Sequence, residues 1–405
     1  MKFSTTVIPI AIFASTIITT LAVSVRTKLK GPVKPDSYIV VLKSGEDMER
    51  HINSITRISA RSPGSEFSIN HRYQALNGYS AHATGASLTH IFSCPEVDYV
   101  EADGITSIHD APHEVNEGRA TGCNDVPAEI RDDPGELGGR AYERGKRAGL
   151  TMVPVRIYMA STGINPLHIC FGDRVLEGEV FGDYPSGLLD LNGHGTMVAG
   201  VAVGVPYGVA TEAHIIPLKV VSDAGVGSIS ALMAGLQWAV KQFRYIPCQS
   251  ILVIDPTFEY NEALNAAVED AISKGLHVVA PAGMESTNAA YFSPGSVPSA
   301  YTIGAIEECS KIIAYFSNVG PAVDALAPGV EMKVPSIAGP REWTTKSSTS
   351  MSAAFVAGGL ANRLRREDDL VPPAWLKEAF MKHGTIGDVV GSPPGTTKLR
   401  AQKYW

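Results

Sequence analysis

The chain has 405 residues, of which 44% are hydrophobic and 19% are charged, and its formal net charge at pH 7 is −7. At about 150 residues per domain, this length predicts two or three globular domains, each able to bury a sizeable core. The negative charge and the lack of a long basic block argue against nucleic acid as a partner.

The N-terminus has the pattern of a targeting signal. Residues 7–25 form an almost uncharged apolar run, Lys2 precedes it, and Ala22 and Ser24 supply the small residues of a cleavage site. We therefore predict a signal peptide over residues 1–25 and a secreted protein that keeps no stable membrane span after signal removal. The run is long for a signal peptide and basic residues follow it, so a signal anchor in the secretory pathway is the alternative.

Five cysteines are spread along the chain without the C-x-x-C spacing of many zinc and redox sites. We therefore assign no metal site and no certain cofactor. Their odd number implies at least one free or intermolecular thiol, and spacing alone leaves any disulfide pairing open. The five are Cys94, Cys123, Cys170, Cys248 and Cys309.

Residues 35–110 have the pattern of a small α+β domain. A β-rich run begins at Ser37, a polar helical segment covers residues 45–61, and further strand and helix patterns follow as far as Glu101. The order β, α, β, β, α, β within about 75 residues is typical of a ferredoxin-like domain. Residues 111–150 mix charged residues and glycine with little periodicity, which predicts a linker.

From residue 151 onward, apolar strands alternate with longer helices. Helices are predicted over Ser228–Phe243 and Asn261–Lys274, the second with Asn261 as its N-cap. The alternation predicts an α/β domain over residues 151–395, with a mostly parallel sheet, helices on both faces and a site at the carboxyl ends of the strands. Strands are predicted at residues 153–159, 215–221, 251–254, 277–280 and 301–305.

Two stretches contain the residue types of a serine hydrolase. In NGHGTMVAG, from Asn192 to Gly200, His194 lies between glycines that leave its imidazole uncovered. In SSTSMS, from Ser347 to Ser352, serines lie at a predicted helix N-terminus, where backbone N–H groups and the helix dipole stabilise negative charge. A histidine base and a serine beside such donors indicate nucleophilic hydrolysis.

These motifs, together with YFSPGSVPSAYTIGA and AYFSNVGPAVDALAPGV, resemble the subtilisin-like serine proteases, in particular the secreted fungal branch typified by proteinase K. The resemblance covers residues 150–385 and implies a subtilisin-like fold, His194 as base, Ser350 as nucleophile and a protein or peptide substrate. Residues 37–105 resemble the inhibitory propeptide of that family, which implies the chain's own propeptide as a partner. Relatives commonly bind structural calcium, for which this sequence assigns no ligands, and we expect a monomer.

Three positions depart from the family's pattern. Ser161 stands where the family has the aspartate of an Asp-Thr-Gly motif, the acid of its catalytic triad. Met284 stands where the family has an asparagine that donates to the oxyanion, and a thioether cannot donate, which leaves the backbone N–H of Ser350 as the remaining donor. Pro256 and Phe258 lie in a cleft wall where the family has Ser-Leu-Gly-Gly.

The opposite wall of the substrate cleft keeps the family's pattern in Gly225, Gly227 and Ser228. In subtilisin itself, loss of the triad aspartate lowers turnover by about 3 × 10⁴, and loss of the oxyanion asparagine lowers it by about 10²–10³. We therefore predict strongly reduced peptide-bond hydrolysis. Asp183 and Asp190 are the acids closest in sequence to the histidine, and either is a candidate replacement acid.

Other acids near the cleft, Asp255, Glu259 and Glu285, are interpreted as solvated surface charges, with an acidic patch near the cleft as the alternative. Met284 is interpreted as an apolar core filler. Three functions follow from these observations. The first is a serine endopeptidase with weak hydrolysis. The second is a pseudoprotease that binds peptides or a partner protease without cutting them. The third is a chain whose propeptide domain inhibits a related protease in trans.

Overall fold

The structure, a computed structural model, describes residues 24–25, 31–108, 155–386 and 389–402. Apart from its last two residues, the predicted signal peptide lies outside the described residues. The predicted linker of residues 111–150 also lies outside them.

The helices of the described ranges are α1 (Met48–Arg61), α2 (Gly85–Ser93), α3 (His194–Val203), α4 (Ile229–Tyr245), α5 (Glu262–Ser273), α6 (Thr349–Leu364) and α7 (Pro373–His383). The strands are β1 (Ser24–Val25), β2 (Val33–Leu42), β3 (Phe67–Tyr73), β4 (Gly78–Ala83), β5 (Val97–Ser107), β6 (Arg156–Ser161), β7 (Glu179–Val180), β8 (His214–Lys219), β9 (Val226–Ser228), β10 (Ser250–Ile254), β11 (Phe258–Glu259), β12 (His277–Pro281), β13 (Phe292–Ser293), β14 (Tyr301–Ile306), β15 (Ala325–Pro328), β16 (Met332–Pro335), β17 (Trp343–Lys346), β18 (Thr385–Ile386) and β19 (Leu399–Arg400).

The N-terminal domain is an antiparallel sheet with α1 and α2 on one face. Its strands lie in the order β5-β2-β4-β3, and β1 pairs in parallel with the outer side of β5. Alternate residues of β2 lie on opposite faces of the sheet. Val40 and Leu42 pack with Ile52 of α1, whereas Ile39 and Val41 belong to a core cluster shared with the second domain. This is the predicted ferredoxin-like topology, and β3 is the strand whose bounds the sequence pattern did not give.

The second domain is built on a nine-stranded sheet. Its order is β18-β19-β15-β14-β12-β10-β6-β8-β7, and every neighbouring pair is parallel except β18 with β19. Central strands such as β10 (SILVI) are buried along their whole length, as strands covered on both faces must be. The predicted mostly parallel α/β fold is therefore confirmed.

Helices cover both faces of this sheet. Val198 of α3 and Ala354 of α6 belong to the core on one face, and Leu232 of α4 and Leu264 of α5 belong to the core on the other face. Glycine lets α6 pack closely, because a Cβ at Gly358 would lie 2.5 Å from the Cβ of Val209 and 3.0 Å from the carbonyl oxygen of Ala202. The site described below lies where α3 and α6 begin.

The N-terminal domain is docked on α4 and α5 through two buried carboxylates of β5. Asp103 accepts hydrogen bonds from the backbone N–H of Ser230, at 2.9 Å, and from its hydroxyl, at 2.6 Å. Glu101 accepts from the backbone N–H groups of Glu262, at 3.1 Å, and Ala263, at 3.0 Å. Each carboxylate thus satisfies N–H groups at a helix N-terminus, where negative charge is favoured.

The described cysteines include both free thiols and a disulfide-bonded residue. Cys94, Cys170 and Cys248 are free and buried, and Cys309 is disulfide-bonded. The expectation of a free thiol is therefore met. Among the helices that the structure describes, none combines the length and the apolar character needed to cross a membrane.

Candidate active site

The site lies at the carboxyl ends of two neighbouring parallel strands. Strand β6 ends with Ser161, and β10 is followed directly by Asp255. The strands are paired so that Ile254 stands opposite Ala160, and the backbone N–H of Asp255 donates to the carbonyl of Ala160 at 3.1 Å. The pairing therefore places Ser161 and Asp255 at the same edge of the sheet.

Helix α3 presents His194 at its first residue. The preceding Gly193 has a φ of +100°, a backbone conformation that favours glycine. Asp190 accepts hydrogen bonds from the backbone N–H of Gly193, at 2.7 Å, and of Thr196, at 2.8 Å. The carboxylate of Asp190 thus accepts from backbone N–H groups at the N-terminus of the helix. Asp183, the other acid proposed from sequence, is exposed.

Asp255 supplies the carboxylate at the imidazole. Its Oδ1 lies 3.2 Å from Nε2 of His194, and its Oδ2 accepts from the hydroxyl of Ser161 at 2.5 Å. The hydroxyl of Ser350 lies close enough to help lower the pKa of its carboxyl group. The side chain of Asp255 is fully buried. Its interpretation as a solvated surface charge is therefore wrong, because the carboxylate directly follows a buried strand and lies among the three side chains that the resemblance assigns to the triad positions.

The environment keeps Asp255 ionised. Burial acts to raise the pKa of its carboxyl group, but the charge of His194 and the hydrogen bonds from His194, Ser161 and Ser350 outweigh burial and hold that pKa below its usual range. A carboxylate with a lowered pKa is a weak base. The hydroxyl of Ser161, at the family's aspartate position, donates to this carboxylate.

Ser350 lies in the first turn of α6, whose N-cap is Ser348. The hydroxyl of Ser348 accepts from the backbone N–H of Ser350 at 3.1 Å and donates to the sulfur of Met284 at 3.3 Å. The N–H that was expected to remain for an oxyanion is therefore already hydrogen-bonded within the helix start. Met284 is half-buried and packs against an apolar cluster that includes Phe316, as expected of a filler.

A pocket opens beside these groups, and its lining includes Asp255, Met284 and Ser350. Residues 106–108, at the end of the N-terminal domain, also line it. Both domains therefore line the pocket that contains Ser350, the candidate nucleophile.

The two predicted residues of the altered cleft wall lie in different places. Pro256 lines the pocket. Phe258 is buried in the core shared with α4 and α5, and its strand β11 pairs with β13. The structure therefore brings Pro256 to the site and keeps the aromatic ring of Phe258 away from it.

The other predicted wall, Gly225 to Ser228, is occupied by the end of the N-terminal domain. Strand β5 pairs antiparallel with β9, with Ile105 opposite Ser228 and Thr106 opposite Gly227. The backbone N–H of Ile108 continues this pairing by donating to the carbonyl of Gly225 at 2.8 Å. An extended segment of the chain thus lies along this wall and ends at the pocket.

Each of the two domains matches the sequence pattern of a known family. The pattern of the subtilase family, Peptidase_S8, matches residues 159–389, and that of peptidase inhibitor I9 matches residues 37–109. The chain belongs to the subtilase family. The resemblance to the subtilisin-like proteases and to their inhibitory propeptide is therefore confirmed.

This subtilase is similar along its whole length to named fungal proteins. It is 31% identical to Subtilisin-like protease 1 of Pseudogymnoascus destructans, over 99% of this chain and 98% of the relative. It is 30% identical to a cuticle-degrading serine protease of Arthrobotrys oligospora, over 89% of this chain and 88% of the relative. Its fold is similar to the crystal structure of a cold adapted subtilisin-like serine proteinase, with 32% identity, a TM-score of 0.57, and coverage of 61% of this chain and 87% of that chain.

Sequence reasoning about this subtilase missed Asp255. Ser161 stands at the family's aspartate position at the end of β6, and Asp255 follows the end of the neighbouring strand β10. The acid of this site thus lies at an adjacent strand end. The available signal was an acid directly after a fully apolar strand, where a parallel sheet places its functional groups.

Proposed function

We propose that the chain is a secreted subtilisin-like serine endopeptidase homologue whose hydrolysis of peptide bonds is strongly reduced. Ser350 is its nucleophile and His194 its base, and it acts as a monomer on protein or peptide substrates. The observation that carries the proposal is the contact of buried Asp255 with both of these groups. Its domains are a signal peptide (1–25), a propeptide domain (35–110), a linker (111–150) and a peptidase domain (151–395).

Acylation requires the Ser350 hydroxyl to lose its proton as Oγ attacks the substrate carbonyl, and the leaving amine to gain one as the C–N bond breaks. Here the hydroxyl lies beside Asp255 and helps to lower the pKa of that carboxyl group, and the lowered pKa makes the carboxylate a poor proton acceptor. The Nε2 atom of His194 faces the same carboxylate. The base nitrogen and the nucleophile are therefore both held by an anion instead of by each other, which disfavours the proton transfer.

Stabilisation of the oxyanion is also weakened. Met284 offers no hydrogen-bond donor at the position of the family's asparagine. The backbone N–H of Ser350 would have to leave the hydroxyl of Ser348 before it could donate to a tetrahedral intermediate. In subtilisin, the loss of one such donor costs about 10²–10³ in turnover. The two defects act on different charges of the transition state, so both lower the rate.

A second candidate function is a pseudoprotease that binds extended peptides without cutting them. The pairing of β5 with β9 favours it, because the wall from Gly225 to Ser228 accepts an extended chain through backbone hydrogen bonds. The two candidates differ in whether the hydroxyl of Ser350 reacts at all.

The rate of labelling by a serine-directed fluorophosphonate distinguishes them. We expect slow labelling that is lost in Ser350→Ala and kept in Ser352→Ala, a control that alters another buried serine of the same helix. Labelling no faster than that of Ser350→Ala would favour the pseudoprotease. Labelling as fast as that of a subtilase with an intact triad would contradict reduced reactivity.

A further inference from the structure

A cluster of metal-ligating side chains lies in the N-terminal domain, apart from the site described above. It consists of His51 of α1, Cys94, which follows α2, and Glu96, which precedes β5. Nδ1 of His51 lies 3.6 Å from Sγ of Cys94 and 3.2 Å from Oε2 of Glu96, and Sγ lies 4.0 Å from the same Oε2. Nitrogen, sulfur and oxygen atoms from three residues therefore converge on one point.

The spacing of these three atoms suits a small tetrahedral ion. Bonds from Zn²⁺ to nitrogen, oxygen and sulfur are about 2.0–2.3 Å long, which separates neighbouring ligands of a tetrahedron by about 3.3–3.6 Å. The 3.6 Å separation from His51 to Cys94 lies within this range, and the 3.2 Å separation from His51 to Glu96 lies just below it. Only Cys94 and Glu96 must approach each other slightly, and Glu96 lies in a turn, where a small rotation of its side chain suffices.

Neighbouring side chains orient two of the ligands. The hydroxyl of Tyr79 lies 3.2 Å from Nε2 of His51, so the other ring nitrogen, Nδ1, faces the cluster. The guanidinium of Arg50 donates to Oε1 of Glu96 at 2.7 Å, so Oε2 is turned inward. Outer contacts of this kind fix the ligands, and their loss typically lowers metal affinity by about 10–100-fold.

The donor set and its burial select the ion. His51 and Cys94 are buried, while the side chain of Glu96 is 25% exposed and gives an ion a path from solvent. Calcium and magnesium prefer sites made of oxygen atoms, whereas a thiolate, an imidazole and a carboxylate together suit zinc. We propose that the N-terminal domain binds one zinc ion through His51, Cys94 and Glu96. On binding, the thiol of Cys94 releases its proton to solvent and its sulfur bonds the ion.

The bound ion joins two parts of the domain that are distant in sequence. It links α1 to the turn between α2 and β5, and its binding free energy adds to the stability of the folded domain. Strand β5 leads from this turn to the wall of the substrate cleft. Zinc therefore strengthens the fold of the segment that occupies the cleft, whether or not Ser350 is reactive.

The test uses the purified full-length chain and the metal ions alone. Cobalt(II), a spectroscopic substitute for zinc, should give a thiolate-to-metal charge-transfer band that saturates at about one equivalent and is displaced by zinc. Cys94→Ser should remove the band and weaken zinc binding by about tenfold or more. Cys248→Ser, which alters another free and buried cysteine, should change neither.

A second variant, His51→Gln, tests the site if Cys94→Ser does not fold. His51→Gln keeps a polar group beside Tyr79 and should also weaken zinc binding by about tenfold or more, with the fold checked by circular dichroism. If neither variant folds, the unaltered chain decides. A thiolate band at one equivalent of cobalt supports the site, and cobalt binding without such a band overturns it, as does a zinc affinity that both folded variants retain.

Discussion

At the scale of single residues, the pair Ser161 and Asp255 carries one negative charge, which lies on the carboxylate of Asp255. The hydroxyl of Ser161 lies 2.5 Å from the carboxylate of Asp255, so Ser161→Asp alone would place two buried carboxylates side by side. Like charges at this distance cannot both stay ionised, and one would take up a proton. We therefore expect Ser161→Asp to give no gain in kcat/KM for a peptide anilide and to destabilise the fold.

The paired exchange Ser161→Asp with Asp255→Ser should behave differently, because it keeps one carboxylate and one hydroxyl and frees Nε2 of His194 for Ser350. Since loss of the triad aspartate lowers turnover by about 3 × 10⁴ in subtilisin, we expect the pair to raise kcat/KM by at least about tenfold. Asp255→Ser alone is the control and should give no gain in kcat/KM. An equal gain from Ser161→Asp alone would show that Asp255 does not compete for the site.

The sequence predicted part of this site and missed its acid. His194 and Ser350 were found because each lies inside a long local motif, and Ser161 was found because the motif around it is otherwise intact. The contact of His194 with Asp255 joins residues 61 positions apart. It results from the packing of α3 against the sheet in which β6 pairs with β10, and a single sequence displays neither. The convergence of His51 with Cys94, 43 positions away, was hidden for the same reason.

At the scale of elements, helix bounds followed closely from local chemistry. The second predicted helix, Asn261–Lys274, covers Glu262–Ser273 in the structure, so each bound differs by one residue. Asn261 caps the helix as expected, because its side chain accepts from the backbone N–H of Leu264 at 2.8 Å. Strand β15 was not predicted, since its four residues lack a distinguishing pattern. The seating of the N-terminal domain on α4 and α5 depends on contacts across more than a hundred positions, such as the one from Asp103 to Ser230.

The carboxylate of Asp103 should be important for that seating. It accepts from the hydroxyl of Ser37 at 3.0 Å as well as from both donors of Ser230, and an amide nitrogen cannot accept any of these bonds. We expect Asp103→Asn to lower the free energy of unfolding by about 1–3 kcal/mol. Urea unfolding of the full-length chain measures this change. Asp98→Asn, on an exposed position of the same strand, is the control and should have little effect.

At the scale of the whole molecule, the proposed weak catalysis and the occupied cleft together predict that the N-terminal domain stays attached. Its last described residues lie along the wall from Gly225 to Ser228, and removal by the chain itself would require the same Ser350 that Asp255 restrains. We expect the purified secreted protein to contain residues 35–110. Intact-mass measurement checks this, with Ser350→Ala as the matched variant. Clean cleavage that Ser350→Ala abolishes would contradict the prediction.

The register of β6 against β10 has a consequence for how relatives with the same site can be found. Adjacent strands lie about 4.8 Å apart, so an acid at the end of either strand lies within reach of the same imidazole. A search pattern that accepts the acid at position 161 or at position 255 would therefore collect relatives with the acid on either strand. Comparing peptide hydrolysis between the two groups would show whether the strand that carries the acid sets the rate.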